Sequence, residues 1–327
     1  MSLLFVTGGN APFFNSLLVC LQSFAERLPG ERLLVCDYGL SEPQAEFLRG
    51  LGLLLERPPE LATRDVFCCK AALLRYLDRN RMETQPDTVV WLDGDLTLMD
   101  VSVRDFQTVA TAMMTAEAGV AACGEPSGKN IAAMIGSFAD ASALAPFADV
   151  VAAANIDAAS PYFSSGLFFC SSPDFLTRWC DLTLTMKSHP LFEQNMFNVA
   201  LYRDRVPHLT LDCEEWQAQG QSLSRVELRD VPGQRAAAFI GNKSIKTLHA
   251  TSPGRGHLLI AECRLTVLDL DLTGTFKLFM AEPLRLHQIQ LLASFILAHR
   301  DALTRLGICT PALRRAEGFS FETLPAR

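Results

Sequence analysis

Short apolar runs alternate with amphipathic segments along the first hundred residues. The apolar runs predict strands at residues 3–7, 32–37, 53–55 and 88–92. The segments between them predict helices at residues 13–28, 41–50 and 65–81, the second beginning with a capping box formed by Ser41 and Gln44. This alternation predicts an α/β fold with a Rossmann-like, mostly parallel central sheet.

The pattern is less regular after residue 100. Helices are predicted at residues 103–116, 173–186 and 283–306, and strands at residues 119–123 and 166–170. Residues 124–161 are rich in alanine, glycine and serine, which favours a flexible flap or small helices, and residues 208–275 favour short strands and turns. We therefore predict one main domain over residues 1–280, with a C-terminal helix and tail over residues 281–327 packed on it.

Two aspartates separated by one glycine, Asp93 and Asp95, follow the most apolar of these strands. At 4 Å and an effective dielectric near 20, two like charges repel by roughly 4 kcal/mol. A bound divalent cation such as Mg²⁺ or Mn²⁺ would remove this repulsion, because hard cations favour carboxylate oxygens. The alternative is that both side chains face solvent in a turn. Thr7, Asp37 and Asp93 lie at predicted strand ends, so we expect them to converge at the edge of the sheet where ligands bind.

Composition argues against several classes of protein. The net charge of −7 argues against a nucleic-acid-binding surface. No run of eighteen uncharged apolar residues occurs and the N-terminus lacks a basic, signal-like segment, so neither a transmembrane segment nor a signal peptide is expected. The ten cysteines contain no C-x-x-C pair and lie mostly in apolar segments, which favours reduced, buried thiols in a cytoplasmic protein.

Further motifs follow the same order as in a known family. After the N-terminal strand, loop and Phe13 come the segment 35–41, Lys70 and Asp93-Gly94-Asp95. Downstream lie three more segments: Tyr-Phe-Ser-Ser-Gly at 162–166, Phe-Glu-Gln-Asn-Met-Phe-Asn at 192–198, and Ile-Lys-Thr-Leu-His at 245–249, followed by Pro-Gly-Arg at 253–255. This series resembles the metal-dependent, nucleotide-sugar glycosyltransferases with a GT-A fold, of the glycogenin and lipopolysaccharide-galactosyltransferase type (family-8-like). The resemblance covers about residues 3–258.

The resemblance implies a hexosyltransferase-type enzyme that moves a sugar from a nucleotide-diphosphate sugar, UDP-linked by preference, to a glycan or lipopolysaccharide acceptor. It implies metal ligation by Asp93, Asp95 and His249, an O,O,N ligand set that suits Mn²⁺, with Mg²⁺ as the alternative. It implies catalytic roles for Glu193 and Gln194 near a helix N-terminus. The donor-binding residues that it implies are Thr7, Asn10, Phe13, Asp37, Lys70, Asp93, Gly94, Ser164, Ser165 and Arg255.

Three substitutions depart from the family pattern, namely Ser164 for asparagine, Glu193 for aspartate and Asn195 for aspartate. They leave the sugar and the retaining or inverting outcome open. Two further residues have plainer interpretations, because Phe13 could merely staple its helix and Lys70 could extend to solvent.

Two other functions remain open from the sequence. Residues 93–100 also fit D-x-D-x-T-L-x-D, the first motif of haloacid-dehalogenase-type phosphatases, in which Asp93 would be the nucleophile. That motif normally lies on the first strand of its domain, whereas about ninety residues of strand–helix pattern precede it here. A non-catalytic nucleotide-sugar-binding protein is the third interpretation.

The expected partners are a nucleotide-diphosphate sugar donor and a carbohydrate or lipid-linked acceptor. A homodimer and a peripheral association with the inner membrane are left open. Arg314 and Arg315 are too few to support membrane binding by themselves, since each basic residue near an anionic surface contributes about 1 kcal/mol.

Overall fold

A computed structural model describes residues 2–80, 86–125, 128–137, 142–229, 236–251 and 256–324. The strands are β1 Leu3–Gly9, β2 Leu33–Asp37, β3 Leu54–Leu55, β4 Thr88–Leu92, β5 Leu96–Leu98, β6 Val120–Gly124, β7 Phe163–Cys170, β8 His208–Leu211, β9 Glu227–Arg229, β10 Ala237–Ile240, β11 Lys243–Ile245, β12 Thr247–His249, β13 Leu258–Val267, β14 Leu270–Phe279, β15 Thr310–Pro311 and β16 Phe319–Thr323. The α-helices are α1 Phe14–Arg27, α2 Glu42–Gly50, α3 Phe67–Ala71, α4 Leu73–Arg79, α5 Val103–Thr115, α6 Ile131–Ile135, α7 Ala145–Ala153, α8 Pro173–Thr185, α9 Phe192–Arg203, α10 Cys213–Trp216, α11 Glu282–Ala298 and α12 Arg300–Arg305.

The chain divides into two compact units that alternate along the sequence. The first comprises Met1–Val6, Leu55–Leu92 and Val103–Gln217, and the second comprises Thr7–Leu54, Asp93–Ser102 and Ala218–Arg327. The division falls within β1 of the central sheet. In the first unit the strands of this sheet follow the order β1-β4-β7-β6-β8, and in the second they follow the order β3-β2-β1.

In the first unit the sheet is mixed. β4 pairs with β1 in parallel and with β7 antiparallel, and β6 pairs antiparallel with β7 and in parallel with β8. Every residue of β4 and β7 is buried, and Trp91 stacks on Phe168 with ring centroids 6.3 Å apart. This two-sided burial explains why residues 89–92 of β4 and 167–170 of β7 are apolar at every position rather than at alternate ones.

In the second unit, α1 and α11 pack together against strand β14. Strands β13 and β14 form an antiparallel hairpin of ten residue pairs, which β15 and β16 extend at its two edges. Short strands complete the unit as the pair β5–β12 and the three-stranded sheet β11-β10-β9.

The predicted α/β fold is confirmed, with differences in detail. The helix expected at 65–81 is interrupted at Ala72, which separates α3 from α4. Residues 258–279 form two long strands rather than short ones, and the closing helix ends at Ala298, before α12 and two edge strands. The capping box is present, since the Ser41 amide donates to Gln44 Oε1 at 3.0 Å. The domain boundary at residue 280 stays a prediction.

The burial of the thiols follows the sequence prediction. All ten cysteines lie in the described ranges; none forms a disulfide, and all except the half-buried Cys213 are buried. Among the described residues, no helix has both the length and the apolar character needed to cross a bilayer.

Candidate active site

Asp93 and Asp95 lie in the turn between β4 and β5, and strand pairing brings His249 to them. β5 pairs antiparallel with β12, and the register places His249 opposite Leu96, next to Asp95. The Ala250 amide donates to the Asp95 carbonyl oxygen at 3.1 Å, which fixes the chain beyond β12 on the same turn. A histidine more than 150 residues away in sequence is thereby held against the two aspartates.

The three side chains form a compact ligand set. His249 Nε2 lies 3.0 Å from Asp95 Oδ1 and 3.6 Å from Asp93 Oδ2, and the potential ligand atoms of the three residues all lie within 4.8 Å of one another. An ionised carboxylate only accepts hydrogen bonds, so Nε2 carries a proton in the contact with Asp95. The histidine is buried and the aspartates are half-buried, so their charges interact through a poorly solvated medium.

Lys277 on β14 is a member of this cluster that sequence reasoning missed. Its ammonium forms an ion pair with Asp95 Oδ2, so both carboxylate oxygens of Asp95 are engaged. Burial raises the pKa of Asp95, but the charges and hydrogen bonds of Lys277 and His249 lower it by more, and this pKa is held well below its usual range. The one sequence signal was a cation within the apolar run 276–279.

Gly94 lies between the two aspartates, and its lack of a side chain allows the backbone there to come close to β1. A Cβ atom at this position would lie 2.5 Å from the Gly8 carbonyl oxygen and 3.5 Å from Thr7 Oγ1. Thr7 is fully buried, and its hydroxyl has no hydrogen-bond partner among the described residues. The backbone around Gly94 therefore passes directly over the end of β1.

Three other predicted donor-binding residues lie just beyond β1 or at the end of β2, in the second unit. Asn10 Oδ1 accepts from the Phe13 amide at 3.2 Å and caps the short 3-10 turn that precedes α1. Asp37 Oδ1 accepts from the Gly39 and Leu40 amides at 2.7 and 2.8 Å. The Phe13 ring is 39% exposed, and Lys277 Nζ lies 5.8 Å from its centroid. Asn10 and Asp37 thus order their own loops, while Phe13 presents an accessible ring.

The second group of predicted residues meets in the first unit. Lys70 Nζ lies 3.3 Å from both the carbonyl oxygen and Oγ of Ser165, and 3.6 Å from Glu193 Oε1. Gln194 Oε1 accepts from the Ser165 amide at 3.2 Å, and Gln194 Nε2 donates to Glu125 Oε1 at 3.4 Å. Lys70 is 9% exposed, so it is buried against these groups rather than extended to solvent. We call Lys70, Ser165, Glu193 and Gln194 the glutamate cluster.

Ser164 lies beside this cluster and has partners of its own. Its Oγ accepts from Gln217 Nε2 at 3.0 Å and from the Gly166 amide at 3.2 Å. Gln217 was not among the predicted residues, and nothing in its sequence context singled it out.

Two amide side chains of α9 join the motifs at 162–166 and 192–198. Tyr162 Oη donates to Asn195 Oδ1 at 2.7 Å. Asn198 Oδ1 accepts from the Phe163 amide at 2.8 Å, and its Nδ2 donates to the Phe163 carbonyl at 2.9 Å. The co-occurrence of the two motifs therefore has a structural cause, because α9 docks on β7 through these bonds.

We call Asp93, Asp95, His249 and Lys277 the aspartate cluster. It lies wholly in the second unit, and the glutamate cluster lies wholly in the first. Arg255, predicted to contact the diphosphate, lies outside the described residues.

No protein-family model matches the chain, and no curated protein matches it. Solved structures resemble it at low identity. The bifunctional glycosyltransferase WbbM is 13% identical with a TM-score of 0.49; the match covers 78% of this chain, which spans 47%, about half, of the length of WbbM. The galactosyltransferase LgtC, solved with donor and acceptor sugar analogues, is 14% identical with a TM-score of 0.45, covering 79% of this chain and 89% of LgtC. Mouse xyloside xylosyltransferase 1 is 14% identical with a TM-score of 0.42, and the match covers 68% of this chain and 89% of the xylosyltransferase. All three of these proteins are named as glycosyltransferases.

Proposed function

We propose that this protein is a metal-dependent glycosyltransferase that moves a sugar from a nucleotide-diphosphate sugar, preferably UDP-linked, to a carbohydrate or lipid-linked acceptor. The observation that carries the proposal is the cluster of Asp93, Asp95 and His249, whose potential ligand atoms lie within 4.8 Å of one another. Two carboxylates and an imidazole are a ligand set that suits Mn²⁺, with Mg²⁺ as the alternative.

The residues present fit a divalent cation. Asp93 and Asp95 offer oxygen ligands, and His249 offers its Nε2 nitrogen, which lies 3.0 Å from Asp95 Oδ1. When bound, the cation would stabilise the negative charge that develops on the diphosphate as the sugar leaves.

The surrounding residues supply the donor site. The exposed Phe13 ring offers a stacking surface for a nucleobase, beside the loops ordered by Asn10 and Asp37. The buried Thr7 hydroxyl and the half-buried backbone at Gly94 offer polar groups close to the aspartates. These contacts would position the nucleotide, with Ser164, Ser165 and Arg255 as further predicted donor contacts.

In this proposal the glutamate cluster performs the chemistry on the sugar. The buried Glu193 carboxylate has Lys70 as its counter-charge, and Gln194 is held by hydrogen bonds on both ends of its amide. A polar group fixed in this way stabilises an oxocarbenium-like centre without reorganising during the reaction. Glu193 and Gln194 are therefore our catalytic residues, while a cytoplasmic location and a homodimer stay predictions.

The decisive experiment measures nucleotide binding and turnover together. We expect UDP to raise the melting temperature only when Mn²⁺ is present, and a UDP-sugar to release UDP slowly under the same conditions. At 100 times its dissociation constant a ligand adds about 2.7 kcal/mol, a shift of several degrees. Asp95→Asn should abolish the Mn²⁺-dependent shift while leaving the melting temperature of the unliganded protein within a few degrees, and GDP serves as the comparison for base preference.

The same assay separates the phosphatase alternative. An aspartyl-phosphate phosphatase would hydrolyse small phosphomonoesters, lose this activity in Asp93→Asn, and bind beryllofluoride at Asp93. That result would overturn the glycosyltransferase proposal. Binding of UDP and Mn²⁺ without any turnover of UDP-sugars over a panel of acceptors would instead support the non-catalytic binding protein.

A further inference from the structure

Lys277 engages an oxygen that the proposed metal site needs. Its ammonium is paired with Asp95 Oδ2, while Asp95 Oδ1 accepts from His249. A divalent cation that took Asp95 as a ligand would approach its oxygens to about 2 Å. The ammonium cannot stay at the same oxygen, because two cations would then compete for one carboxylate.

The position of Lys277 is built into the hairpin of β13 and β14. Lys277 lies opposite Ile260 in a ladder of ten residue pairs, which fixes its register. Its neighbours Phe276 and Leu278 are buried, so strand alternation turns Lys277 to the opposite face. On that face it reaches Asp95 and the Phe13 ring.

These two contacts define where the ammonium can go when it leaves Asp95. Lys277 Nζ lies 5.8 Å from the centroid of Phe13, the ring proposed to stack on the nucleobase. The same ammonium contacts Asp95, a proposed metal ligand. In a nucleoside diphosphate, the ribose and phosphates join the base to the metal-bound oxygens. A flexible lysine between Phe13 and Asp95 is therefore within reach of the phosphates.

We propose that Lys277 is an exchangeable counter-charge that couples metal binding to nucleotide binding. Without ligands it neutralises Asp95 and weakens the binding of a divalent cation. When the cation and a nucleoside diphosphate bind together, the ammonium moves from Asp95 to the phosphates, so that each ligand strengthens the other. This inference rests on the proposed function, and it assigns to this lysine the thermodynamic coupling of the two ligands.

The test is a binding cycle that needs no turnover. Mn²⁺ affinity is measured from the electron paramagnetic resonance signal of free Mn²⁺, and UDP affinity by calorimetry with and without saturating Mn²⁺. We expect Lys277→Met to tighten Mn²⁺ binding in the absence of nucleotide about fivefold or more, and to weaken UDP binding in the presence of Mn²⁺ by roughly tenfold, within the usual range of coupling between sites. The two ligands should become less cooperative.

Three further variants exclude a trivial cause. Lys277→Gln should reproduce Lys277→Met, and Lys277→Arg, which keeps the charge, should retain most of the coupling. Lys187→Met removes one positive charge from an exposed position in the other unit and should leave both affinities unchanged. A purely structural role for Lys277 would weaken both ligands and lower the melting temperature, and that result would overturn the inference.

The binding data distinguish a failure of the inference on Lys277 from a failure of the proposed function. If the wild-type protein binds Mn²⁺ and UDP but Lys277→Met binds both as the wild type does, the inference on Lys277 is wrong and the proposed function stands. If the wild-type protein binds no UDP with or without Mn²⁺, the proposed function is wrong. The inference falls with it, because no coupling between the two ligands then exists.

Discussion

Gly94 shows how a single residue sets the geometry of the aspartate cluster. The Gly8 carbonyl oxygen occupies the space where a Cβ would project from Gly94, at 2.5 Å. Backbone cannot yield as a flexible side chain can, so any larger residue would push the turn that carries Asp93 and Asp95 away from β1. The glycine between the aspartates is required by this close approach.

We expect Gly94→Ala to lower the free energy of unfolding by about 1–3 kcal/mol, the range for overpacking, and to weaken Mn²⁺ binding. Gly50→Ala is the matched control, because a Cβ at Gly50 at the end of α2 meets nothing within 4 Å. That control should be neutral or stabilise by about 0.4–1 kcal/mol. Urea unfolding of both variants measures the difference, and equal stability of the two would refute the close-approach argument.

At the level of elements, helix α9 connects the sequence motifs with the chemistry proposed for them. Leu191, just before the helix, adopts a left-handed conformation with φ of 57°, which is uncommon for a non-glycine residue. Beyond it, Glu193 and Gln194 lie in the first turn, and Asn195 and Asn198 fasten the helix to Tyr162 and β7. The amides fix the helix, and the fixed helix positions the glutamate cluster.

Glu193→Gln and Gln194→Ala should therefore act on the rate rather than on donor binding. We expect kcat to fall at least about 100-fold in each variant, with the donor KM changed by less than about threefold, as for an interaction made mainly in the transition state. Asp174→Asn is the control, because Asp174 is an exposed carboxylate in the first turn of a neighbouring helix, α8. Steady-state kinetics at varied donor concentration measure kcat and KM separately. A rise in the donor KM as large as the fall in kcat would assign both residues a structural role.

At the scale of the whole molecule, buried thiols and half-buried histidines set the pH range of stability. Burial raises the pKa of Cys68 from 9.0 to about 11, and the pKa values of Cys170 and Cys309 to about 12. Above pH 9 the unfolded chain loses thiol protons that the folded chain keeps. Burial also lowers the pKa values of His189, His287 and His299 from 6.5. Below about pH 6.5 the histidines of the unfolded chain therefore take up protons that those of the folded chain do not.

The free energy of unfolding should accordingly be highest between about pH 6.5 and 9, fall as pH rises above 9 and fall as pH drops below 6.5. Urea unfolding at constant ionic strength from pH 5 to 10.5, with a reductant present, measures this profile. Titration of the free thiols in urea after each incubation serves as the control for cysteine oxidation, because all ten should remain reduced. A stability that stays level or rises from pH 9 to 10.5 would contradict the account.

The sequence by itself determined the features that depend on neighbouring residues. Periodicity gave the strands and helices of the first hundred residues, the capping box at Ser41, and the apolar strand that ends at two aspartates. His249, Glu193 and Gln194 were found through motif order. The structure brings His249 to the aspartates, Glu193 to Lys70 and Gln194 to Ser165.

Only the tertiary structure decided the features that depend on distant pairing. The antiparallel direction of β7 follows from how the chain returns to the sheet, and its apolar composition would suit either direction. Lys277 is 182 residues from Asp95, and Gln217 is 53 residues from Ser164. Such contacts depend on strand register and helix docking, and a shift of one residue in β14 would turn Lys277 to the other face. No local pattern records that choice, because it is made by the packing of the whole chain.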